Sequence, residues 1–291
     1  LIHYDDLPPW LQENKYIRNS YRPLMPSIKS CLKSIFRLHT ETGNIWTHMI
    51  GGILFVCLLI HVLYCYSDCL VHKWDEKLVY VSFFVSVVTC LALSSSYHTM
   101  LCHSENVYNI FLKLDFVGIT VIITGHYIPY LWYGYHCMPT KRTLYLTITI
   151  CLAVTTIGVI LSDTMAKPNY RLLRTVVFAT FSAFGILPII HFLSLYGLDY
   201  IYSHPYLSTA LMCLILMSFL HIVGAFLYCS QIPERFFPGK CDYWFHSHQL
   251  FHTIVVIGVI VHYIGFTNLA LYVRQWPDKF CNQINIQYPL L

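Results

Sequence analysis

Charge is what this sequence has least of. Only 11% of its 291 residues are Asp, Glu, Lys or Arg, less than half of the about 25% found in an ordinary soluble domain. That shortage excludes a disordered chain, a nucleic-acid-binding tail and a water-soluble enzyme of this size, and no nucleic-acid partner is expected. The twelve cysteines are scattered, without the paired spacing of a zinc ribbon. No Asn-x-Ser/Thr sequon occurs, so N-glycosylation is not expected. Internal repeats and low-complexity runs are missing as well. No charged n-region followed by a short apolar run and a cleavage site opens the chain, so a cleaved signal peptide is not expected. The first residue is Leu1 rather than Met, so further residues are expected upstream.

What is present is apolar: 56% hydrophobic and 16% aromatic residues, with a mean hydropathy of +0.56. Seven windows carry no Asp, Glu, Lys or Arg, and they run 42–67, 78–104, 116–140, 143–162, 175–198, 200–233 and 243–273. The shortest holds 20 residues, and about 20 apolar residues span the hydrocarbon core as a helix. The expected fold is an all-α integral membrane protein with seven transmembrane helices, joined by short loops in up-and-down order. Gly125 and Pro129 in the third window, and Gly185 and Pro188 in the fifth, predict kinks. The expected division is a cytosolic N-terminal segment over 1–45, a helical domain over 46–273 and an extracellular tail over 274–291.

Orientation follows from the basic residues. With the N-terminus cytosolic, 12 of the 18 Lys and Arg fall on inner segments and 6 on outer ones. That places the N-terminus inside and, after seven crossings, the C-terminus outside. The same bias accounts for most of the net charge of +4. Ser30–Leu38 reads either as a short interfacial amphipathic helix or as a solvated linker. Cys65, Cys69, Cys137 and Cys281 fall on the outer side, where a disulfide can form. A homo-oligomer is left open, because helix six carries Gly224 and Ala225 but no GxxxG face.

Sixteen histidines are present. His61, His126, His191, His221 and His262 lie inside windows and are expected to be hydrogen-bonded core residues. His3, His39, His72, His103, His136 and His204 sit in polar or loop segments and are expected to be solvated. His48 and His246 lie at inner helix ends and are left unassigned. His248 and His252 differ, since a spacing of four puts both imidazoles on one helix face, as zinc sites on helices do. At this histidine frequency about one such pair arises by chance, so the spacing alone decides nothing. Depth adds the missing information. Helix two ends with His98, helix three starts with Asp115 and helix seven starts with the pair, all on one side of the membrane.

Three imidazoles and an open fourth position suit a hydrolytic zinc, which lowers the pKa of its water from 15.7 toward about 7 and polarises carbonyls. Asp115 would orient that water and accept its proton. Ser94, one turn before His98, would bond Asp115 or a reacting oxygen, or else bond back to its own helix. A zinc held only for structure, in a receptor signalling through cytosolic adaptors, is the alternative. A haem protein is a third reading, whereas retinal is disfavoured because no window contains lysine.

Five segments, HTETGNIWTH (39–48), SSSYHTMLCHS (94–104), KLDFVGI (113–119), IPERFFPGK (232–240) and SHQLFH (247–252), are similar to the progestin and adipoQ receptor family. The first and fourth resemble its adiponectin-receptor branch. The resemblance implies a seven-helix fold with the N-terminus inside; the plasma membrane is the expected location, with an endomembrane as the alternative. It further implies zinc near the inner leaflet on His98, His248 and His252, with Asp115 beside the bound water. Also implied are an adiponectin-like hormone outside, ceramide hydrolysis to sphingosine and fatty acid within the bilayer, and a cytosolic adaptor. The wider superfamily, alkaline ceramidases included, shares the pattern that here reads Ser94-x3-His98, Asp115 and His248-x3-His252. Arg174 matches a family arginine that contacts lipid. Phe116 stands where related receptors commonly carry tyrosine, which removes one hydroxyl from the substrate side. The outer loops and the tail after Arg274 match poorly.

Overall fold

A computed structural model describes residues 1–65, 71 and 73–287. Cys69 and His72 lie outside the described residues. The described chain is helical, and its one strand-like feature is an isolated antiparallel bridge between Ile2 and Tyr21. The long helices are α2 (Thr42–Cys65), α3 (Trp74–Met100), α4 (Glu105–Gly134), α5 (Pro139–Ile160), α10 (Pro205–Ser230) and α11 (Ser247–Gln275). The fifth crossing is broken into α7 (Arg171–Ala183) and α8 (Ile186–Tyr196). Short helices complete the order: α1 (Ile28–Ser34), α6 (Asp163–Ala166), α9 (Leu198–Tyr202) and α12 (Pro277–Gln287). Each of the seven spans holds 22 residues or more, which at 1.5 Å per residue exceeds a hydrocarbon core about 30 Å thick. A helix satisfies its own backbone groups, which lipid would not. The chain is therefore a seven-helix, multi-pass membrane protein.

The kink expected in the fifth crossing is real, and its cost is met from a neighbour. Backbone groups freed where α7 gives way to α8 are recovered by Tyr127 of α4. Its hydroxyl lies 2.9 Å from the carbonyl of Phe181 and 2.8 Å from that of Ser182, and it accepts from Gly185 N–H at 2.9 Å. In lipid, association rests on close packing and interhelical bonds rather than on solvent exclusion. Burial is greatest along α3, α4 and α11. Half of the apolar stretch of α3 is buried, against about a tenth for the α7–α8 crossing.

The N-terminal segment folds across one end of the bundle, here termed the basal end. Asp242, between α10 and α11, accepts from Arg18 N–H and Asn19 N–H, both at 2.9 Å. Arg22 is buried and donates to Thr99 O (2.9 Å) and His98 O (2.5 Å), so a cation closes the C-terminus of α3. Of the two readings of Ser30–Leu38, a helix over Ile28–Ser34 is what forms, with Cys31 and Ser34 inward. Burial beside Cys102 pushes the Cys31 thiol up to about 12. His39 corrects the expectation of a solvated ring. It is fully buried, its Nδ1 accepting from Glu41 N–H at 3.0 Å and its Nε2–H donating to Ser34 O at 3.1 Å. Burial and the charge of Arg22 push it down to about 4. At the opposite end Cys137 and Cys281 form a disulfide, while Cys65 is free. Phe280 of α12 is stacked there on Tyr196, 4.4 Å between rings.

Candidate metal centre

His98 lies in the last turn of α3, and His248 and His252 in the first two turns of α11. Glu234 fixes the start of α11. Its carboxylate is fully buried, accepts from Ser247 N–H at 2.7 Å and from the Ser247 hydroxyl, and so sits where a helix N-terminus favours an anion. Gly43 lets α2 approach that turn, because a Cβ there would come within 2.5 Å of the Gln249 side chain. Gln249 in turn donates to Thr40 O (3.2 Å) and Tyr243 O (2.9 Å), tying the entry to α2 onto α11.

The three imidazoles come together at the basal end. One candidate ligand atom of each lies within 4.8 Å of the others, and the ring centroids are 4.7 to 4.8 Å apart. The ring planes cross at 86°, 76° and 64°. Rings crossed in this way can direct in-plane lone pairs to one point, which three ligands of a tetrahedral ion must do. The imidazole of His98 donates from Nδ1 to Glu41 Oε2 at 2.7 Å, and its Nε2 is buried and unpartnered. The Nδ1 of His252 donates to Asn44 O at 3.2 Å. Imidazole-only donors with one unpartnered nitrogen already buried fit a divalent late transition metal, zinc among them.

Asp115 is buried on α4 near Ser94 and His98 of α3, outside the tight three-histidine group. Arg174 and Phe116 are brought into contact, the guanidinium lying 5.0 Å from the ring centroid. The same guanidinium donates to Met165 O (2.6 Å) and Lys167 O (2.8 Å), while its Nε is buried and unpartnered. A cavity of about 70 Å³ separates the N-terminal segment from the histidines, with Glu13, Glu41, Tyr108, Arg171, His98 and His248 among its lining. It is polar and large enough for water.

Three neighbours escaped sequence reasoning. Glu41 and Asn44 hold the rings of His98 and His252, and His48 stacks on His252 at 3.7 Å with the planes 7° apart. A signal for Glu41 existed, since it is the last charge before the window 42–67. Its partner could not be read, because His98 is 57 residues away. Among the window histidines, His191 meets the expectation by pairing with the Tyr145 hydroxyl at 2.9 Å. His126, His221 and His262 do not. They gather in the middle of the bundle, with His126 Nε2, His221 Nε2 and both His262 nitrogens buried and unpartnered.

Fold and site together define a heptahelical membrane protein with a convergent three-histidine centre at one end of the bundle. Residues 36–263 match the haemolysin-III related family. The chain is 42% identical to progestin and adipoQ receptor-like protein 1 of Caenorhabditis elegans, over 93% of this chain and 61% of that protein. It is 41% identical to the adiponectin receptor protein of Drosophila melanogaster, over 94% and 60%. Against heptahelical transmembrane protein 1 of Arabidopsis thaliana the identity is 31%, over 96% and 82%. This chain belongs to that family, alongside the progestin and adipoQ receptor-like proteins. It spans about 60% of the length of the worm and fly relatives.

Proposed function

We propose that this protein is a receptor-type membrane hydrolase that cleaves the amide of ceramide, using zinc held by His98, His248 and His252. The observation that carries the reading is the crossed, closely spaced arrangement of those three rings. Zinc held there supplies a Lewis acid that polarises a carbonyl oxygen and makes water acidic enough to react at neutral pH. The residues around it have the remaining tasks. Asp115 takes the proton of the attacking water on its carboxylate and returns it to the departing amide nitrogen. Ser94 holds that carboxylate in place through its hydroxyl. Arg174 Nε, buried and unpartnered beside Phe116, is the donor for the fatty-acid carboxylate. The basal cavity admits the water that hydrolysis consumes.

The excess of basic residues on the basal side supports a cytosolic N-terminus. The name of the fly relative supports an adiponectin-like hormone as the ligand; in this reading the hormone acts on the opposite face at the plasma membrane, and a cytosolic adaptor reads the N-terminal segment. Detergent-purified, zinc-loaded protein is expected to release sphingosine from ceramide. Release no greater than that of a His98→Ala protein would sink the catalytic reading.

A further inference from the structure

The segment HTETGN (39–44) supplies no ligand, yet it touches two of the three. We propose that it acts as a tautomer clamp, in which Glu41 and Asn44 fix the protonation pattern and the orientation of His98 and His252 for the metal. The inference rests on the zinc reading above and names positioning residues for that site.

The hydrogen-bond chemistry leaves little freedom. A neutral imidazole has one N–H and one lone pair, and the partner of one nitrogen settles the role of the other. The Glu41 carboxylate accepts only, so at 2.7 Å the proton must sit on His98 Nδ1 and the lone pair on Nε2. The backbone carbonyl of Asn44 likewise accepts only, so at 3.2 Å His252 also carries its proton on Nδ1. Both rings thereby keep Nε2 as the donor nitrogen toward the centre. That these ligands stand on α3 and α11, while the clamp enters α2, makes the arrangement a tripod of three helices. Metal-ligating histidines commonly need such a partner for ring orientation and basicity.

The clamp is itself held rigid. The Asn44 side-chain amide donates to Glu41 Oε2 at 2.6 Å, and Glu41 N–H donates to the buried His39 at 3.0 Å. His39 N–H donates to Thr42 Oγ1 at 2.9 Å, and that hydroxyl donates to Arg37 O at 3.1 Å. Thr40 O receives both His246 Nε2 (3.1 Å) and Gln249 Nε2 (3.2 Å), so the segment is locked to the helix bearing the other two ligands. A merely structural turn would not need its one carboxylate aimed at a ligand ring.

The test measures zinc affinity by chelator competition on the full chain in detergent, together with the ¹⁵N histidine spectrum. Glu41→Ala is expected to weaken zinc binding by about 10- to 100-fold. Glu41→Gln keeps an acceptor for Nδ1–H and is expected to lose less than about tenfold. In the spectrum of the metal-free protein, His98 is expected as the Nδ1–H tautomer in the wild type and in Glu41→Gln, and as a mixture in Glu41→Ala. Should Glu41→Ala fail to fold, the wild-type and Glu41→Gln spectra decide alone, and an Nε2–H tautomer at His98 overturns the clamp. Equal zinc affinity in wild type and Glu41→Ala overturns it too, with the metal reading intact. A wild type that takes no zinc overturns the metal reading, and the clamp with it.

Discussion

Among the described residues, two groups of three histidines lie in the bundle, and they are built differently. At the basal end, the rings of His98, His248 and His252 are nearly equidistant and steeply crossed. Midway along the bundle, the rings of His126 and His262 are 4.2 Å apart at 31°, and those of His126 and His221 5.8 Å apart at 10°. Near-parallel rings carry their lone pairs in parallel planes, which do not meet at a point. The surroundings differ too. In the basal group His98 and His252 have Glu41 and Asn44 behind them, whereas in the middle group both His262 nitrogens are buried and unpartnered. Residue type is the same in both. Convergence and a hydrogen-bonded outer layer are what separate a metal-type centre from a cluster of buried polar rings.

The largest effect that would break this comparison is a swap of metal dependence between the groups. One equivalent of zinc is expected in purified wild-type protein, none in His252→Ala, and one in His262→Ala, all by elemental analysis. Metal lost from His262→Ala with the fold preserved would make the middle group the centre.

A smaller effect sharpens the role of the clamp layer. Buried His39 has its pKa lowered to about 4 in the folded protein, from an ordinary 6.5. A folded state that binds a proton less readily than the unfolded chain is fully stable above the unfolded pKa and loses stability as pH falls. The basal layer should therefore weaken between about pH 6.5 and 4, by up to about 3 kcal/mol. Hydrogen exchange over residues 28–44 should rise in that window in the wild type, and less so in His39→Phe. Exchange that is flat with pH would remove His39 as the cause.

The smallest effect belongs to the middle group. Replacing unpartnered buried polar groups by apolar ones of similar shape is close to neutral. The triple variant His126→Leu, His221→Leu, His262→Phe should melt within about 1 kcal/mol of the wild type, or slightly above it. A loss of several kcal/mol would show that those nitrogens hold something of their own.

The sequence carried the fold through its charge-free windows, because a helix in lipid needs only length and apolarity. Each of the seven windows coincides with a crossing. It also carried the three-histidine cluster, because spacing puts His248 and His252 on one face and depth puts His98 and Asp115 on the same side. Even the charges that bound the windows at the basal end were informative. Asp115, Arg174, Glu234 and Asp242 each abut a window and are buried, whereas Glu105 and Asp163 abut windows at the same end and are exposed. The bonds that the buried ones make were not legible. Arg174 closes on the carbonyls of Met165 and Lys167, Glu234 fixes the start of α11, and Asp242 holds the backbone of Arg18 and Asn19.

The scarcity of charge thus determined, by itself, that this chain crosses a membrane seven times and keeps its ionisable groups mostly at the ends. Only the tertiary structure decided which of those groups meet. Windows are local properties of a helix in lipid, whereas a hydrogen bond from His98 to Glu41, or an angle between rings on different helices, depends on how far each helix turns and slides against its neighbours.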